Sequence, residues 1–287
     1  NLHSFNYPII GYLLGAFIII IVGIIDDKFG MSPAIKLLGQ ALSCCVFLYT
    51  NNLFELFGPF YLTIPILFLW MVGLMNALNF LDNMDGIITG MSGILALGFY
   101  AFSFISKTHS VAIQANLMML ISLIFAGSVF GFLPYNFNPA KIFLGDAGSM
   151  FIGYFLSTMG ILAGRLAVTR MNSPIFYLLP VLLLSYAIFD ISLVSFIRKR
   201  DGRKISQGGK DHSTHRIHNA MHSPKVTAIF VYLINTIIVL ITILVFKMES
   251  EKLLIISTIL FAVIFLFFGR KLDQIPVIIP ENQLKDK

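Results

Sequence analysis

Nine apolar runs, most of them long enough to cross a lipid bilayer, follow one another along this chain. A helix of about 20 apolar residues spans the hydrocarbon core. Charged residues make up only 12% of the sequence, against about 25% in soluble domains. We therefore predict an all-α integral membrane protein, a single polytopic bundle of about nine transmembrane helices over residues 1–287. The runs cover 9–25, 37–50, 61–78, 87–106, 117–133, 147–164, 175–189 (extended to 197), 226–246 and 253–268.

The lysines and arginines predict how this bundle is oriented. When successive loops are assigned to alternate sides, fifteen basic residues fall on one side and five on the other. Because cytoplasmic loops are enriched in Lys and Arg, the richer side is predicted to be cytoplasmic. The first residue then lies outside, and a tail over 270–287 lies in the cytoplasm. Residues 1–8 do not resemble a signal peptide, and we expect an upstream segment to be missing.

Aspartates gather at helix ends on the predicted cytoplasmic side. Asp26 and Asp27 end the first run, where the helix dipole disfavours negative charge, and Asp146 lies between Gly145 and Gly148 before the sixth. Carboxylates beside hydrocarbon are costly unless they meet water, a cation or each other. This pattern favours a Mg²⁺ site that substrate phosphates complete. The alternatives are an interfacial stop signal at Asp26-Asp27 and a helix N-cap at Asp146.

A third acidic element follows the third run. Asn79, Asp82 and Asp85 are spaced by three residues and would share one face if they were helical. The alternative is a polar turn that caps the next helix, but a cap needs only one such residue. The spacing therefore indicates side chains that converge on one binding point.

A basic segment, residues 198–225, holds eight of the twenty Lys and Arg residues. Its glycines, cations and hydroxyls could cradle a pyrophosphate at a cytoplasmic membrane surface, which argues against nucleic acid as the partner. The candidate contacts are Gly209, Lys210, His212, His215 and Arg216. Neighbouring cations are expected to keep these histidines neutral. One alternative is that the charges over 198–204 only set the orientation of the chain in the membrane. Another is a transition-metal site formed by His212, His215 and His218, which the lack of a nearby cysteine disfavours.

Four blocks of residues occur in a fixed order along the chain. They are Asp26-Asp27 followed by Ser32-Pro33 and Lys36; Asn79-x-x-Asp82-x-x-Asp85-Gly86; Asn136 ten residues before Asp146 in Phe-Leu-Gly-Asp-Ala-Gly-Ser; and Lys210-Asp-His-x-x-His-Arg216. Together they resemble the polyprenyl-phosphate N-acetylhexosamine-1-phosphate transferases of bacterial envelope synthesis, glycosyltransferase family 4. The resemblance covers about residues 9–225. Members of that family carry about two further helices before the Asp-Asp helix, which again implies an incomplete N-terminus.

The resemblance implies a reaction and a place for it. The chain is similar to the branch that transfers N-acetylglucosamine 1-phosphate from UDP-GlcNAc to undecaprenyl phosphate and releases UMP. This reaction starts a teichoic acid or another envelope polysaccharide. The implied site is cytoplasmic, in a bacterial plasma membrane. Mg²⁺ is the implied cofactor, with Mn²⁺ as an alternative ion. A homodimer is left open.

The resemblance also implies roles for the site residues. Asp146 holds the metal with Asp27 or Asp26, and one of these two alternatively takes a proton from the lipid phosphate. Lys36 contacts that phosphate. The nucleotide contacts or supports of the metal are Asn79, Asp82, Asp85 and Asn136. The residues that close over the pyrophosphate are Gly209, Lys210, His212, His215 and Arg216.

Two other functions compete with this one. The phospho-N-acetylmuramoyl-pentapeptide transferases usually carry consecutive histidines ending in Phe-Glu, from which His212-Ser-Thr-His215-Arg216 departs. The eukaryotic counterpart usually has a sizeable insertion in a segment that is short here. A cation-coupled transporter would place carboxylates at the bilayer midplane on broken helices. The aspartates of the four blocks lie at helix ends instead.

Overall fold

The computed structural model describes residues 3–108, 111–204 and 209–277, with side chains from residue 9 onward. All regular structure in these ranges is helical. The helices are α1 (His3–Phe29), α2 (Pro33–Thr50), α3 (Phe60–Leu81), α4 (Ile87–Ser106), α5 (Ala112–Asn136), α6 (Gly145–Met171), α7 (Leu178–Leu183, after a 3₁₀ turn at Pro174–Tyr177), α8 (Ser185–Arg200), α9 (Ser213–Met221), α10 (Pro224–Lys247) and α11 (Glu251–Asp273). The described residues do not include the first residue, whose predicted side of the membrane stays a prediction. They also do not include residues 278–287, the end of the predicted tail.

Eight of the described helices are long and apolar enough to cross a membrane, and Pro174–Leu183 (the 3₁₀ turn with α7) together with α8 forms a ninth candidate that is bent by 72°. This confirms the predicted all-α, multi-pass membrane fold. The bend lies at Leu184, whose backbone leaves the helical region (φ −97°, ψ 15°). The helices are longer than the predicted apolar runs, because each run was ended at the first charged residue. Helix α6, for example, continues through Arg165 to Met171.

The first compact unit consists of the chain up to Asn79 together with Leu144–Thr158. Glycine lets its helices approach closely: a Cβ on Gly23 would lie 2.2 Å from the Cα of Ala147. Small residues are the usual means of close helix contact in membranes. This contact places the C-terminal end of α1 against the N-terminal end of α6.

The second compact unit consists of Phe80–Phe143 and the chain from Met159 onward. Its α4 packs against α5 and α10. The hydroxyl of Tyr232 on α10 donates to the carbonyl of Gly86 at 2.5 Å, and its ring lies over Gly90 of α4. This contact fixes the turn that carries Asp85.

Candidate active site

Lys36 lies at the centre of a polar cluster in the first unit. Its Nζ contacts Asp26 Oδ2 at 2.9 Å, Asp146 Oδ2 at 2.6 Å and Asn79 Oδ1 at 3.1 Å. We call these four residues the lysine centre. They come from the end of α1, the start of α2, the end of α3 and the start of α6. The structure therefore brings four sequence-predicted site residues together at adjoining helix ends.

Hydrogen bonds orient both carboxylates of the lysine centre. Asn79 Nδ2 donates to Asp146 Oδ1 at 2.7 Å and to Ser149 Oγ at 2.8 Å. The amide of Met31 donates to Asp26 Oδ1 at 2.6 Å. Each carboxylate thus keeps one oxygen bonded to a neutral donor while the other faces the ammonium. Such fixed geometry is what a charge-stabilising site requires before its ligand arrives.

Asp27 has a different task from its neighbour, because it caps α6. Its Oδ1 accepts from the amide of Asp146 at 2.7 Å and its Oδ2 from that of Ala147 at 3.1 Å. A carboxylate there satisfies free N–H groups and complements the helix dipole. A Cβ on Gly145, whose φ is +63°, would lie 2.7 Å from Asp27 Oδ2. Asp27, and not Asp146, is therefore the cap, so the N-cap alternative for Asp146 is wrong.

The two carboxylates of the lysine centre have the chemistry and spacing that Mg²⁺ requires. Asp26 and Asp146 touch one ammonium ion, so their carboxylates are close enough to share a cation. Among the described residues no group of three or more His, Cys, Asp or Glu side chains could hold a metal ion. Mg²⁺, however, often uses only one or two carboxylates, with water and substrate phosphates completing its shell. The donors fit an ion of that kind, and Asp26 and Asp146 are the residues that would hold it.

Asp82 and Asp85 lie in the second unit and do not continue the helix of Asn79. Helix α3 ends at Leu81, so the condition for a shared helical face, a helix through all three positions, is not met. Asp and Asn side chains compete with the backbone for helical hydrogen bonds, which favours a turn here. Asp85 Oδ2 accepts from Asn138 Nδ2 at 2.9 Å and so holds the loop after α5. Their contacts with a nucleotide stay a prediction.

Asn136 is buried and serves the same loop. The hydroxyl of Thr89 donates to Asn136 Oδ1 at 2.6 Å, and Asn136 Nδ2 donates to the carbonyl of Ile142 at 3.0 Å. Both ends of the carboxamide therefore bind within the protein. A contact of Asn136 with substrate stays a prediction.

Asp190, which the sequence analysis did not select, anchors the part of the basic segment that carries its first three histidines, residues 212–218, which we call the histidine segment. This residue of α8 is fully buried. Its Oδ2 lies 2.8 Å from His212 Nδ1, and its Oδ1 accepts from the amide and hydroxyl of Ser213 at 2.8 and 2.5 Å. An ionisable residue inside a membrane span is itself a signal of function. The motifs that the sequence analysis uses lie at run ends and in loops, whereas Asp190 lies within the apolar run 175–197.

Asp211 joins two buried arginines next to His212. It accepts from Arg198 Nη2 at 2.6 Å and Nε at 3.0 Å, and Arg203 Nη1 lies 2.9 Å away. Burial alone would raise the pKa of Asp211, but the hydrogen bond and charge of Arg198, together with the charge of Arg203, lower it to about 2. The interpretation of 198–204 as purely topogenic charge is therefore wrong for these two arginines.

Arg216 ties α9 to the end of α11. Its Nη1 donates to the carbonyls of Leu272, Asp273 and Ile275 at 3.0, 3.2 and 2.9 Å, and its Nε donates to that of Asp211 at 3.1 Å. Cationic side chains at a helix C-terminus satisfy its free carbonyls. Arg216 thus holds the histidine segment in place, and its contact with a pyrophosphate stays a prediction.

The other predicted phosphate contacts differ in exposure. Lys210 is exposed, whereas a Cβ on Gly209 would lie 2.9 Å from Asp211 Oδ1. His215 is half-buried on α9, with its ring centroid 6.1 Å from that of His212. Their contacts with a pyrophosphate also stay predictions.

Burial and the nearby His212 lower the pKa of His215 to about 4. Its predicted neutrality at neutral pH is confirmed, although burial is the larger cause. The unfolded chain takes up this proton near pH 6.5, whereas the folded chain does so near pH 4. The contribution of His215 to stability is therefore complete above about pH 6.5 and is lost as the pH falls towards about 4.

We expect His215→Gln to lose less thermal stability than the wild-type chain when the pH falls from about 7 to about 5. Thermal unfolding in detergent at both pH values measures this difference in Tm. His222→Asn is the matched control, because His222 is exposed and its positive φ suits asparagine. This control should follow the wild-type chain. Equal losses in His215→Gln and wild type would contradict the prediction.

Comparison with known proteins agrees with the resemblance. A match to glycosyl transferase family 4 covers residues 9–164. The chain is 34% identical over 233 residues to a probable undecaprenyl-phosphate N-acetylglucosaminyl 1-phosphate transferase of Bacillus subtilis (strain 168), covering 78% of this chain and 62% of that protein. It is 30% identical over 242 residues to the decaprenyl-phosphate N-acetylglucosaminephosphotransferase of Mycobacterium tuberculosis (strain CDC 1551 / Oshkosh), covering 77% and 59%.

A third relative represents the competing branch. The chain is 34% identical over 169 residues to the phospho-N-acetylmuramoyl-pentapeptide-transferase of Staphylococcus aureus (strain JH9), covering 50% of each protein. The match is shorter than those to the two N-acetylglucosamine enzymes. The chain spans about three fifths of the length of those two relatives (62% and 59%).

Proposed function

Because this chain belongs to glycosyl transferase family 4, we propose that it transfers N-acetylglucosamine 1-phosphate from UDP-GlcNAc to undecaprenyl phosphate and releases UMP. The lysine centre is the observation that carries the proposal, since it gathers one cation and two oriented carboxylates at four helix ends. The names of the two longer-matching relatives support a polyprenyl phosphate acceptor and an N-acetylglucosamine donor. The family match favours a transferase over a cation-coupled transporter.

In the proposed reaction, an oxygen of the lipid phosphate attacks the phosphorus that carries the sugar. The bond from this phosphorus to the bridging oxygen of the pyrophosphate breaks, and UMP leaves with that oxygen. Both reactants are anions, so their repulsion is the main obstacle. A general base contributes little, because the second pKa of a phosphate monoester is about 6. The enzyme's main tasks are to neutralise charge and to align the reactants.

The lysine centre suits these tasks. Lys36 is the proposed contact for the acceptor phosphate, because its ammonium is already oriented by two carboxylates. Asp26 and Asp146 are the proposed ligands for Mg²⁺, which when bound neutralises the pyrophosphate and helps to orient it. Asp27 keeps Asp146 in position through its bonds to the start of α6. Mn²⁺ is an alternative ion with the same preference for oxygen.

We place this reaction at the cytoplasmic face of a bacterial plasma membrane. The four helix ends of the lysine centre adjoin loops on the side that the Lys and Arg distribution assigns to the cytoplasm. The relatives described above are bacterial proteins. A nucleotide sugar and a polyprenyl phosphate with a cytoplasmic headgroup would both reach that face.

Transfer of label into a butanol-soluble lipid tests the proposal. With undecaprenyl phosphate in detergent, we expect label to move from UDP-GlcNAc, but not from UDP-MurNAc-pentapeptide, and only when Mg²⁺ is present. UDP-glucose, which lacks the N-acetyl group, is the matched donor control. Transfer only from the pentapeptide donor would assign the chain to the competing branch. Transfer that continues in the presence of EDTA would contradict the proposed role of Mg²⁺. The absence of transfer from every donor would contradict the proposed function.

A further inference from the structure

Asp190 and His212 form a buried pair in the second unit. Their exposed fractions are 0% and 3%. Both carboxylate oxygens have partners: Oδ2 lies 2.8 Å from His212 Nδ1, and Oδ1 accepts from the amide and hydroxyl of Ser213. The hydroxyl of Tyr186 lies 3.0 Å from Ser213 Oγ and completes the network. The position of the carboxylate is therefore fixed from several directions.

A carboxylate is an expensive choice for packing alone. Burying an ionised acid beside hydrocarbon costs free energy unless it is fully bonded. A neutral side chain could also accept from the amide of Ser213. An ionised carboxylate has no proton to donate, so it specifies that His212 carries a proton on Nδ1. That constraint on the imidazole is what Asp190 adds over a neutral residue.

We infer that Asp190 is a positioning residue for His212, which turns Nε2 of this histidine towards a phosphate group of the nucleotide sugar. The inference rests on the proposed function for the identity of that ligand. With Nδ1–H bonded to Asp190, only Nε2 is left for a ligand. The negative charge of a bound phosphate favours a proton on Nε2, which then donates to a phosphoryl oxygen while Asp190 balances the imidazolium charge.

The neighbouring histidine does not duplicate this arrangement. Nδ1 of His215 is buried without a hydrogen-bond partner among the described residues, so no acid fixes its proton. The ring of Phe80 lies 6.1 Å from that of His212, between centroids, and gives an apolar boundary on another side. Of these two histidines, His212 is therefore the one whose Nδ1 has a carboxylate partner.

A double-mutant cycle separates positioning from simple structural support. We expect Asp190→Asn to lower kcat for sugar phosphate transfer by about 10²-fold. His212→Ala should have a similar effect, and the double variant should match His212→Ala within about twofold, because Asp190 acts through His212. If the two losses multiply, Asp190 acts independently of His212 and the inference is overturned.

Nitrogen-15 NMR of the histidine-labelled chain tests the pairing without activity. In the wild-type chain we expect His212 to carry a proton on Nδ1, and in Asp190→Asn we expect that preference to be lost. A proton on Nε2 alone in the wild-type chain would overturn the inference even if the variant fails to fold. The NMR measurement does not depend on turnover. Failure of the wild-type chain to transfer sugar phosphate would therefore count against the proposed function and not against the pairing of Asp190 with His212.

Ser192→Ala is the matched control for both experiments. Ser192 lies on α8 close to Asp190, but it is exposed and its hydroxyl donates to the carbonyl of Ile188. We expect kcat within about twofold of wild type and an unchanged His212 spectrum. A loss of kcat as large as that of Asp190→Asn, with the spectrum unchanged, would show that any change in α8 lowers turnover, and would overturn the assignment of Asp190 to positioning the imidazole.

Discussion

Replacing Asp146 by asparagine is expected to lower kcat for sugar 1-phosphate transfer by about 10³-fold. Asp146 is the residue of the lysine centre that contacts both the ammonium of Lys36 and the carboxamide of Asn79. Asparagine keeps its size but removes its charge, so the centre retains a single carboxylate from Asp26. The site then loses half of the negative charge that holds the ammonium and the proposed metal ion. Steady-state kinetics with UDP-GlcNAc measure the change, and thermal unfolding checks the fold.

Asp201→Asn is the matched control for this substitution. The side chains of Asp146 and Asp201 are equally exposed (33%), and both contact a basic residue. Asp201 contacts Arg200 at 3.1 Å, and exposed pairs of this kind contribute only about 0–1 kcal/mol. We expect the control to keep kcat within about twofold of wild type. Turnover of Asp146→Asn at the wild-type rate would remove Asp146 from the site, and the metal proposal with it.

The membrane fold followed from the sequence because hydrocarbon imposes a strict requirement on each crossing segment. A span needs a long apolar helix, so counting apolar runs recovered the helices without any knowledge of their contacts. The same logic placed Asp26, Lys36, Asn79 and Asp146 on one side, since alternate crossings bring alternate ends together. The divergence of Asp26 and Asp27 was also predictable, because adjacent helical residues point about 100° apart.

The residues that the sequence did not explain are those whose partners lie far along the chain. Arg216 looks like a phosphate ligand by type, yet it bonds carbonyls 56 to 59 residues away. The sequence around Asp27 gives no sign that this residue caps a helix that begins after residue 144. Asn79, Asp82 and Asp85 would have shared a face only on a continuous helix, and α3 ends at Leu81 because polar side chains favour a turn there.

Replacing Asp211 by asparagine is expected to lower the free energy of unfolding by about 3 kcal/mol. The carboxylate lies between the side chains of Arg198 and Arg203, which are 2% and 4% exposed. Loss of its charge leaves both guanidinium groups without this counter-ion, whereas the wild-type pairing compensates for their burial. The pKa of Asp211 is about 2 in the folded chain, against about 3.9 unfolded. Its stabilising effect is therefore complete at neutral pH and is lost as the pH falls towards about 2.

Denaturant or thermal unfolding in detergent at neutral pH measures this loss, and Asp201→Asn again supplies the comparison. Asp201 lies 3.6 Å from Arg203 but is far more exposed than Asp211, so its loss should cost less than about 1 kcal/mol. Asp211 directly precedes His212, and loosening of this segment should also speed tryptic cleavage within residues 198–225. Stability and cleavage equal to those of the control would show that the buried arginines do not depend on Asp211, and that Arg216 and Asp190 suffice to hold the histidine segment.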